Sequence, residues 1–454
     1  MTEQYHFIGV GGIGMSGLAR IELAHGARVS GSDQVDSPRL HELRAMGAAI
    51  VVGHSAENAP EAGSVVVSDA IHEDNPELQA CIARGLRVIR RSELLGEMMA
   101  RHDGIAISGT HGKTTTTAMV ATVMLHAGLD PTVVVGGDAL GEDRNAHAGT
   151  GSWFVAEACE AYGSYLHLAP RIAVVTNVEP DHLDHHQDFA HIQAAFRQFA
   201  GRILAGGALI LNADDAEAAA IAAGAGCRSV TYGLGSGDWR AKDVRPNGLG
   251  SCFTVWHGGA AVANVELNVP GQHNVSNALA AFVASHEAGV PVGLIAEGLA
   301  AYKGVSRRFE PLGTMNGVRI YDDYAHHPTE IRATLDAART VFPEARILAV
   351  FQPHLYSRTR DFMDGFIAAF DGADAVAITE IYKSREEPIP GVRAEDIVDG
   401  VRRRSPGKTA DFVGDKANVP AWLSANANAG DVAFVMGAGD ICEAGEAFVA
   451  GGAS

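Results

Sequence analysis

A phosphate-binding loop is the clearest chemical signal in the sequence. A short apolar run leads into Gly109 and Gly112, and Lys113 opens a segment with apolar residues at helical spacing. Glycines let backbone N–H groups converge on an anion, and the helix N-terminus adds its partial positive charge. The Lys113 ammonium suits a phosphate and the Thr114 hydroxyl suits Mg²⁺. The pattern predicts ATP or GTP binding, although Ile107 stands where the standard motif has glycine.

Carboxylates and histidines after two later apolar runs predict a metal site beside this loop. Glu157 lies in the run 153–158, where a carboxylate is costly unless it meets a cation, either Mg²⁺ or a salt-bridge partner. The run 172–178 leads into an acidic and histidine-rich segment, in which His182 is placed to complete a second metal position. Zinc is the alternative, but phosphates favour hard cations and no predicted helix carries histidines four residues apart. His185 and His186 are better explained as a solvated loop.

Polar side chains also mark the start of one helix and two loops in the last third of the chain. Asn274 and Asn277 lie one turn apart on a helix predicted from 271 to about 288, where they can meet a purine edge or cap the helix. Capping explains one asparagine but not both. The loops 322–330 and 352–361 follow apolar strands, the place where open α/β sheets bind ligands. Arg358 and Arg360 in the second loop can also be surface salt-bridge partners.

A second glycine-rich turn lies near the N-terminus. It contains Gly11, Gly12, Ile13 and Gly14. A helix is predicted after it through about residue 24, and the next strand ends in Asp33, an order that is typical of a dinucleotide-binding unit. One glycine fingerprint is weakly specific. A pyrophosphate site for another nucleotide is therefore the competing interpretation, and Asp33 can be an ordinary turn residue.

Apolar runs that alternate with helical patterns predict an α/β protein with doubly wound sheets. At 454 residues the chain is too long for one core and suggests two to four domains. The first unit is expected to end near residue 101, the second to start at 104 and the third near 307. Further strands are predicted at 28–32, 49–52, 64–68, 87–91, 208–212, 318–321, 347–351, 375–379 and 432–436, and the stretch up to 256 has β character.

Composition and charge exclude several classes of partner. The formal net charge of −19 argues against nucleic acid and anionic membrane, because both require a positive surface. No apolar run reaches the length of a membrane span, and the N-terminus turns glycine-rich before a signal-peptide core could form, so we expect a cytoplasmic protein. The five cysteines are scattered, which indicates reduced thiols rather than disulfides or a zinc knuckle.

The sequence resembles the Mur ligase family along nearly its whole length. Ten segments occur in the family's order, which is far more specific than any one alone: GVGGIGMSG, SGTHGKTTTT, VAEACE, TNVEPDH, GQHNVSNA, SRRFE, DDYAHHPTE, FQPHLYSRTRDF, EEPIPG and GAGDI. The resemblance implies a Rossmann-like UDP-binding domain at 1–103, a P-loop ATPase-like domain at 104–306 and a Rossmann-like domain at 307–454 that closes over ATP and amino acid. Within the family it is similar to the branch that joins L-alanine to UDP-N-acetylmuramate through an acyl phosphate in peptidoglycan precursor synthesis.

The resemblance also implies roles for individual residues, and it reassigns the first glycine loop from a dinucleotide to the UDP diphosphate. Catalytic roles fall on Lys113, Glu157, His182, Arg308, Asp323 and His326. Nucleotide contacts fall on Gly109, Thr110, His111, Gly112, Lys113, Thr114, Thr115, Asn274, Asn277, Arg308 and Asp323. Substrate contacts fall on Gly11, Gly12, Ile13, Gly14, Asp33, Ser68, His326, His354 and Arg358. Two Mg²⁺ ions are implied, one at Thr114 and Glu157 and one at His182.

Two departures from the family pattern bear on this assignment. Leu355 stands where many members have arginine, which puts one substrate contact in question. No lysine lies between Lys113 and Lys242, so the carbamoylated lysine of several sister Mur ligases cannot be present. The alanine-adding branch also lacks that lysine. The FQPHLYSRTRD segment likewise points away from the tripeptide-salvage branch.

Three other functions stay open on the sequence alone. A related ligase that adds the murein tripeptide is the alternative within the family. A nicotinamide-dependent dehydrogenase would leave the second phosphate loop unexplained, and a non-catalytic nucleotide switch would leave the loops of the last third without a purpose. The sequence leaves open whether the protein is a monomer or a homodimer, and how strictly it selects L-alanine over glycine or serine.

Overall fold

The computed structural model describes residues 3–137, 145–181 and 188–451. Within those ranges the strands form three separate sheets of five, ten and six strands. No helix in the described ranges is long and apolar enough to cross a membrane. His182, the expected second metal ligand, lies outside the described residues together with His185 and His186.

The first sheet has the order β3-β2-β1-β4-β5 and its pairs are all parallel. An α-helix connects β1 to β2, β2 to β3 and β4 to β5, whereas the connection from β3 to β4 holds only a 3₁₀ turn. The strand order reverses direction at β1, so the predicted doubly wound unit is confirmed. A short 3₁₀ turn covers Ala56–Asn58. Its elements are β1 Gln4–Ile8, α1 Ile13–Ala24, β2 Arg28–Asp33, α2 Pro38–Ala45, β3 Ala49–Val52, β4 Ser64–Val67, α3 Pro76–Ala83, β5 Arg87–Arg90 and α4 Arg91–Met99.

The middle sheet begins with the strand that precedes the phosphate loop. Its elements are β6 Asp103–Ser108, α5 Lys113–His126, β7 Thr132–Val134, β8 Ala146–His147, β9 Trp153–Glu157, β10 Ile172–Val175, α6 Phe189–Ala200, β11 Ala208–Asn212, α7 Ala216–Ala220, β12 Arg228–Gly233, β13 Trp239–Asn247, β14 Gly250–His257, β15 Ala260–Leu267, α8 Gln272–Glu287 and α9 Val292–Ala301, with a 3₁₀ helix at Ala161–His167. The strand order is β15-β14-β13-β12-β11-β10-β6-β9-β7-β8, and β13 to β15 form an antiparallel meander.

The C-terminal sheet has the order β16-β17-β21-β18-β19-β20 and is parallel except for β16 against β17. Short 3₁₀ helices cover Phe370–Gly372 and Lys416–Asn418. Its elements are β16 Glu310–Met315, β17 Val318–Asp323, α10 Pro328–Val341, β18 Ile347–Phe351, α11 Tyr356–Asp361, α12 Met363–Ala369, β19 Ala375–Thr379, α13 Glu395–Arg404, β20 Thr409–Gly414, α14 Val419–Asn426, β21 Val432–Met436 and α15 Cys442–Ala450.

The buried strand β6 explains where the chemical loops lie. Ile105 and Ile107 are fully buried in the apolar cluster that α5 and α8 supply, whereas Ala106 belongs to a cluster shared with the first unit. β6 pairs in parallel with β9 on one side and β10 on the other. Because parallel strands end at the same edge, the loops after β6, β9 and β10 meet there.

Candidate active site between the middle and C-terminal units

The phosphate loop joins β6 to α5, and close neighbours require its two glycines. Gly109 has a φ of 132°, and a Cβ at that position would overlap the hydroxyl of Thr176. Gly112 has a φ of 80°, and its Cβ would lie 2.5 Å from Oδ1 of Asn277. Both φ values lie in the region that glycine alone adopts freely. The loop is therefore held between the end of β10 and the second turn of α8.

Lys113 begins α5 and directs its ammonium back into the loop. Its Nζ donates to the carbonyl oxygens of Gly109 and Thr110 at 2.7 and 2.9 Å. It also meets the carboxylate of Glu160 at 2.9 and 3.0 Å, and both side chains are largely buried. Burial alone would lower the pKa of Lys113, but the charge of Glu160 raises it above its ordinary value. The ammonium therefore keeps its charge at neutral pH.

Thr114 and Glu157 lie together beside the same loop. The Thr114 hydroxyl donates to Oε2 of Glu157 at 2.8 Å, and the Gly136 N–H donates to the same oxygen at 2.9 Å. A hydroxyl and a carboxylate are hard oxygen ligands of the kind that Mg²⁺ takes next to phosphates. The donor set therefore fits one Mg²⁺ ion at the position that the sequence predicted.

A cavity of about 260 Å³ lies between the phosphate loop and the C-terminal unit. Asn274 donates to the Pro270 carbonyl at 2.7 Å, and Asn277 reaches Oδ1 of Asn274 at 3.4 Å. The N-cap of α8 is Gly271 rather than either asparagine, and both amides line the cavity. Charged and polar residues that line it further include His111, Thr115, Asn177, Arg308, Asp323 and Glu330.

Asp323 and Arg308 form the wall that the C-terminal unit contributes. Asp323, at the end of β17, accepts the backbone N–H groups of Phe309 and Ala325 at 3.0 and 2.8 Å. Burial raises the pKa of its carboxyl to about 6, although the charge of Arg308 opposes this. The Arg308 guanidinium lies 3.4 Å from Glu330. This wall presents a guanidinium and a carboxyl that titrates near neutrality.

His111 connects the phosphate loop to the C-terminal unit. Its backbone N–H donates to Oδ1 of Asn177 at 2.8 Å. Its ring places Nε2 3.5 Å from Glu179 of the middle unit and Nδ1 3.4 Å from Glu330 of the C-terminal unit. Burial would lower the pKa of His111, but these two carboxylates raise it to about 9, and His111 in turn lowers the pKa of Glu179 to about 2. A buried imidazolium therefore joins one carboxylate from each unit.

His111, Glu179 and His327 also offer ligand atoms that lie within 4.8 Å of one another, as a metal site would. However, both ring nitrogens of His111 face carboxylates, and Nδ1 of His327 accepts the N–H of Thr329 at 3.3 Å as the N-cap of α10. An imidazolium carries a proton on both nitrogens, which suits the two carboxylates beside His111. The Nε2 atoms of His111 and His327 are buried and make no hydrogen bond to a described residue.

The residues expected at the amine end lie together beside the loop that leads into α10. Arg358 pairs with Asp181 of the middle unit at 2.9 Å, with 5% and 7% of the two side chains exposed. Its guanidinium also lies 3.3 Å from Nδ1 of His354. The rings of His354 and His326 are 6.1 Å apart, and burial lowers their pKa values to about 4 and about 3, so both are neutral. Arg360, by contrast, makes an exposed pair with its neighbour in the chain, as the surface alternative predicts.

The first glycine loop closes over the end of β1. The Gly11 N–H donates to Asp33 at 2.8 Å, so this carboxylate braces the loop. Ser68 follows β4, the neighbour of β1, and lies at the same edge of the sheet. The Ile13 carbonyl accepts the side-chain amide of Asn145 in the middle unit. The residues expected to hold the UDP-sugar therefore share one edge, which faces the middle unit.

Four carboxylates of the site received no role from the sequence. They are Glu160, Glu179, Asp181 and Glu330. Each lies inside one of the segments VAEACE, TNVEPDH or DDYAHHPTE that carry the family resemblance. Charge balance could have pointed to these carboxylates. A buried lysine, arginine or imidazolium is stable only with an anion beside it, so each such cation predicts a nearby carboxylate.

Family models match each of the three units. A model described as Mur ligase family, catalytic domain, matches residues 4–103, the Mur ligase middle domain matches 107–285, and the Mur ligase glutamate ligase domain matches 307–439. The chain belongs to the Mur ligase family. The predicted family and three-domain α/β fold are thereby confirmed, and the Mur ligase family is ATP-dependent.

Named relatives and solved structures within the family cover nearly the whole chain. This Mur ligase is 44% identical over 449 residues to the UDP-N-acetylmuramate–L-alanine ligase of Trichlorobacter lovleyi, with 98% of each chain covered. It is 46% identical to the enzyme of that name from Renibacterium salmoninarum, over 98% of this chain and 95% of that one. The structure of UDP-N-acetylmuramate–alanine ligase from Thermotoga maritima is 30% identical, with a TM-score of 0.82 and 98% of each chain covered. A murein peptide ligase from Psychrobacter arcticus is 27% identical, with a TM-score of 0.71 over 99% and 98% of the two chains.

Proposed function

We propose that this Mur ligase joins L-alanine to the carboxylate of UDP-N-acetylmuramate in an ATP-dependent step of peptidoglycan precursor synthesis. The observation that carries the proposal is that the phosphate loop, through His111 and Gly112, and the wall of the C-terminal unit line one cavity. Lys113 and Thr114 follow Gly112 directly in the chain, and Thr114 bonds to Glu157. Amide formation from an unactivated acid requires a triphosphate, an acid and an amine in one place. Relatives that are 42–46% identical and are named for this reaction support the choice of substrates.

The chemistry follows from the poor leaving group of a carboxylate. Direct attack by an amine would have to expel oxide. Transfer of the γ-phosphoryl group of ATP to the carboxylate gives an acyl phosphate and ADP. The alanine amine then attacks the acyl carbon, and the tetrahedral intermediate expels phosphate to leave the amide. Closure of the C-terminal unit over the cavity would keep water from the acyl phosphate.

The middle unit supplies the groups for phosphoryl transfer in this proposal. Lys113 would offset the charge on the moving phosphoryl group, which is the largest kind of contribution in such reactions. Thr114 and Glu157 would hold one Mg²⁺ and His182 a second. Bound Mg²⁺ neutralises charge on phosphate oxygens.

The remaining site residues would divide between the ends of the substrates. The first glycine loop with Asp33 and Ser68 would bind the UDP-sugar, and Asn274, Asn277, Arg308 and Asp323 would bind ATP. His326, His354 and Arg358 would face the muramate and alanine. The Nε–H of Arg358 makes no hydrogen bond to any described residue, so it can donate to the α-carboxylate of alanine.

We propose the domain limits 1–103, 104–306 and 307–454, which the three separate sheets support. The protein is expected to work in the cytoplasm, where ATP and UDP-sugars are made. Whether it acts as a monomer or a homodimer does not affect the site, because all of its proposed residues lie in one chain.

A ligation panel tests the proposed reaction. The protein is incubated with ATP, Mg²⁺, UDP-N-acetylmuramate and, in separate reactions, L-alanine, glycine, L-serine or the murein tripeptide. We expect the highest kcat/KM for phosphate release with L-alanine and a product heavier by one alanine residue. A product with the tripeptide alone would favour the second candidate, a murein peptide ligase, which the similarity to the Psychrobacter arcticus structure makes the specific rival.

Lys113→Ala tests the role of the phosphate loop. We expect a loss of roughly a thousandfold in kcat, as for removal of one group that stabilises transition-state charge. Binding of UDP-N-acetylmuramate should persist, because its proposed loop belongs to another sheet. Lys303→Ala removes an exposed lysine of the same unit and should retain activity. Turnover by Lys113→Ala at the wild-type rate would refute the assigned role.

Arg358→Ala tests the amine end. We expect the KM for alanine to rise more than the KM for ATP, and to rise more than in Asp181→Asn, which breaks the same ion pair between the units but keeps the guanidinium. An unchanged KM for alanine would count against the assignment.

NADH binding tests the dehydrogenase alternative, which family membership argues against. Enhanced NADH fluorescence when the protein is added would support that alternative.

A further inference from the structure

The partners of Lys113 suggest a role for Glu160, a residue to which neither the proposed mechanism nor the family resemblance assigns one. We propose that Glu160 competes with the polyphosphate of ATP for the ammonium of Lys113, and so sets the nucleotide affinity of the loop. This inference rests on the proposed binding of ATP at the Lys113 loop. It makes Glu160 a positioning residue that acts through Lys113.

The hydrogen bonds of Lys113 provide the first step. An ammonium has three N–H donors. In this structure they are directed to the carbonyl of Gly109 at 2.7 Å, the carbonyl of Thr110 at 2.9 Å and the carboxylate of Glu160 at 3.0 Å. A phosphate oxygen can therefore bind this ammonium only after one of the three partners has been released.

Differences among the three partners decide which one is released. The carbonyls of Gly109 and Thr110 are neutral and belong to the loop backbone. The Glu160 carboxylate is an anion on a side chain with rotatable bonds. A phosphate beside the ammonium would repel an adjacent carboxylate but not a carbonyl. Glu160 is therefore the partner that ATP replaces.

Burial makes the competition costly for the nucleotide. Glu160 is 3% exposed, and its Oε2 makes no hydrogen bond to any described residue beyond the ion pair with Lys113. A carboxylate in such surroundings depends on its cation. When Lys113 turns to a phosphate, Glu160 loses part of that compensation. A neutral side chain at position 160 removes both the competitor and the repulsion.

Glu157, three residues earlier, provides an internal contrast. Its carboxylate accepts the Thr114 hydroxyl and the Gly136 N–H, and so lies on the side where Mg²⁺ is expected. Loss of its charge should weaken binding of Mg²⁺ with ATP. Loss of charge at Glu160 should strengthen nucleotide binding. Loss of charge at these two glutamates is therefore expected to change nucleotide affinity in opposite directions. A uniform change in the electrostatic potential around the loop would change it in the same direction for both.

Isothermal titration with ADP and with a non-hydrolysable ATP analogue plus Mg²⁺ tests the proposal on the full chain. Glu160→Gln is expected to lower the Kd by roughly ten- to a hundredfold, the range of one charge-assisted hydrogen bond. The matched control is Glu287→Gln, which removes a carboxylate paired with Arg228 at the surface of the same unit and should stay within about twofold of wild type. In ligation assays Glu160→Gln should lower the KM for ATP in proportion.

A double-mutant cycle separates release of the lysine from simple repulsion. In a Lys113→Met background, Glu160→Gln should tighten binding much less than it does in the wild type. An equal gain in both backgrounds would overturn the competition. Unchanged or weaker binding by Glu160→Gln would also overturn it, and would show that Glu160 supports the bound state.

A second variant, with a shorter carboxylate side chain, tests the proposal if Glu160→Gln does not fold. Glu160→Asp keeps the charge but lengthens the ion pair, so a partial gain in affinity is expected, and no gain would contradict the proposal. A wild-type protein that binds neither ADP nor the analogue would refute the proposed function itself. Nucleotide binding by wild type without a gain in the variants would refute this inference alone.

Discussion

The two boundaries between the units of this Mur ligase differ in their chemistry. Between the N-terminal and middle units the apolar core is continuous, because Met15 and Leu18 of α1 belong to the same buried cluster as Phe154 of β9. Backbones also approach closely. A Cβ on Gly96 of α4 would overlap the carbonyl oxygen of His167 in the middle unit.

Between the middle and C-terminal units the contacts are polar and surround a cavity. Arg358 pairs with Asp181 at 2.9 Å, and the Thr329 hydroxyl donates to Glu179 at 2.7 Å. His111 adds a third connection through its two carboxylate neighbours. Each of these groups can exchange its protein partner for water.

This difference indicates how the protein moves. Separating the first boundary would expose apolar surface, which costs about 25 cal/mol for each Å². Separating the second exposes groups that water solvates well. We therefore expect the first two units to move as one body and the C-terminal unit to open and close, as entry and enclosure of ATP would require.

Arg358→Met should have the largest effect on the C-terminal boundary. It takes the guanidinium away from buried Asp181, a loss that costs about 3–5 kcal/mol if the carboxylate stays buried. Opening of the boundary hydrates that carboxylate. We therefore expect a larger radius of gyration in small-angle scattering and little change in Tm.

Arg360→Met is the matched control, because Arg360 lies on the same helix and its ion pair among the described residues is an exposed one with Asp361. It should leave the radius of gyration unchanged. A large drop in Tm for Arg358→Met without any expansion would mean that the C-terminal boundary resists opening as strongly as the first.

Gly96→Ala should damage the first boundary in a different way. The added methyl group meets backbone rather than a flexible side chain, and overpacking of this kind costs about 1–3 kcal/mol. We expect a lower Tm with no expansion of the molecule.

Gly293→Ala is the control for Gly96→Ala. Gly293 is also helical, but no atom of the described residues lies within 4 Å of the position its methyl group would take, so alanine there should be neutral or slightly stabilising. Expansion of Gly96→Ala without loss of Tm would contradict a rigid first boundary.

The second boundary should also open at alkaline pH. The pKa of His111 is raised from 6.5 to about 9, so the stability it contributes is fully present below 6.5 and is lost as the pH rises through about 9. Glu179, Glu330 and His327 face the same ring, and the pKa of Glu179 is lowered to about 2, so its charge persists throughout this range. Scattering between about pH 8 and 10 should show expansion in wild type that His111→Gln lacks. An identical pH profile for the two proteins would exclude His111 as the titrating group.

Thr329→Val should have the smallest effect of the set. It removes one hydrogen bond to Glu179, about 1 kcal/mol, while the His111 contact remains. We expect the alkaline opening to shift to a slightly lower pH. Thr340→Val on the same helix is the control, because the Thr340 hydroxyl donates to the Asp336 carbonyl within α10. Equal midpoints for the two variants would show that Thr329 does not contribute to closure.

The sequence predicted best those elements whose own residues decide their structure. The apolar runs of β6, β11, β18, β19 and β21 are continuous because both faces of a parallel sheet are covered, and their positions are confirmed. The strand predicted at 172–178 was too long. β10 ends at Val175, although the Thr176 N–H still donates to the Ser108 carbonyl at 3.1 Å. Beyond that point the side chains of Thr176 and Asn177 donate to the His111 carbonyl of the phosphate loop.

The sequence alone could not predict which distant residues pair with each other. Nothing local specifies that Arg358 meets Asp181, a residue 177 positions earlier. The strands β13 to β15 were also hard to locate in the sequence. Register shifts near Lys242 and Val255 interrupt the alternation of apolar and polar residues that marks a strand.

The departure at Leu355 has a structural setting that the sequence did not show. Leu355 has a φ of 71°, is 3% exposed and precedes α11. Its N–H donates to the carbonyl of Tyr382 at 3.0 Å. An arginine with this side-chain position would have to bury its charge, so substitution there changes packing as well as any substrate contact.

The overlap of Gly109 with Thr176 limits how this enzyme can diversify. Even a single methyl group at residue 109 would displace Thr176 and Asn177, which follow the neighbouring strand β10. Position 109 of the phosphate loop therefore tolerates almost no residue other than glycine. Variation among descendants should accumulate instead at positions of the cavity lining to which no charged or hydrogen-bonding role is assigned, such as Ala333.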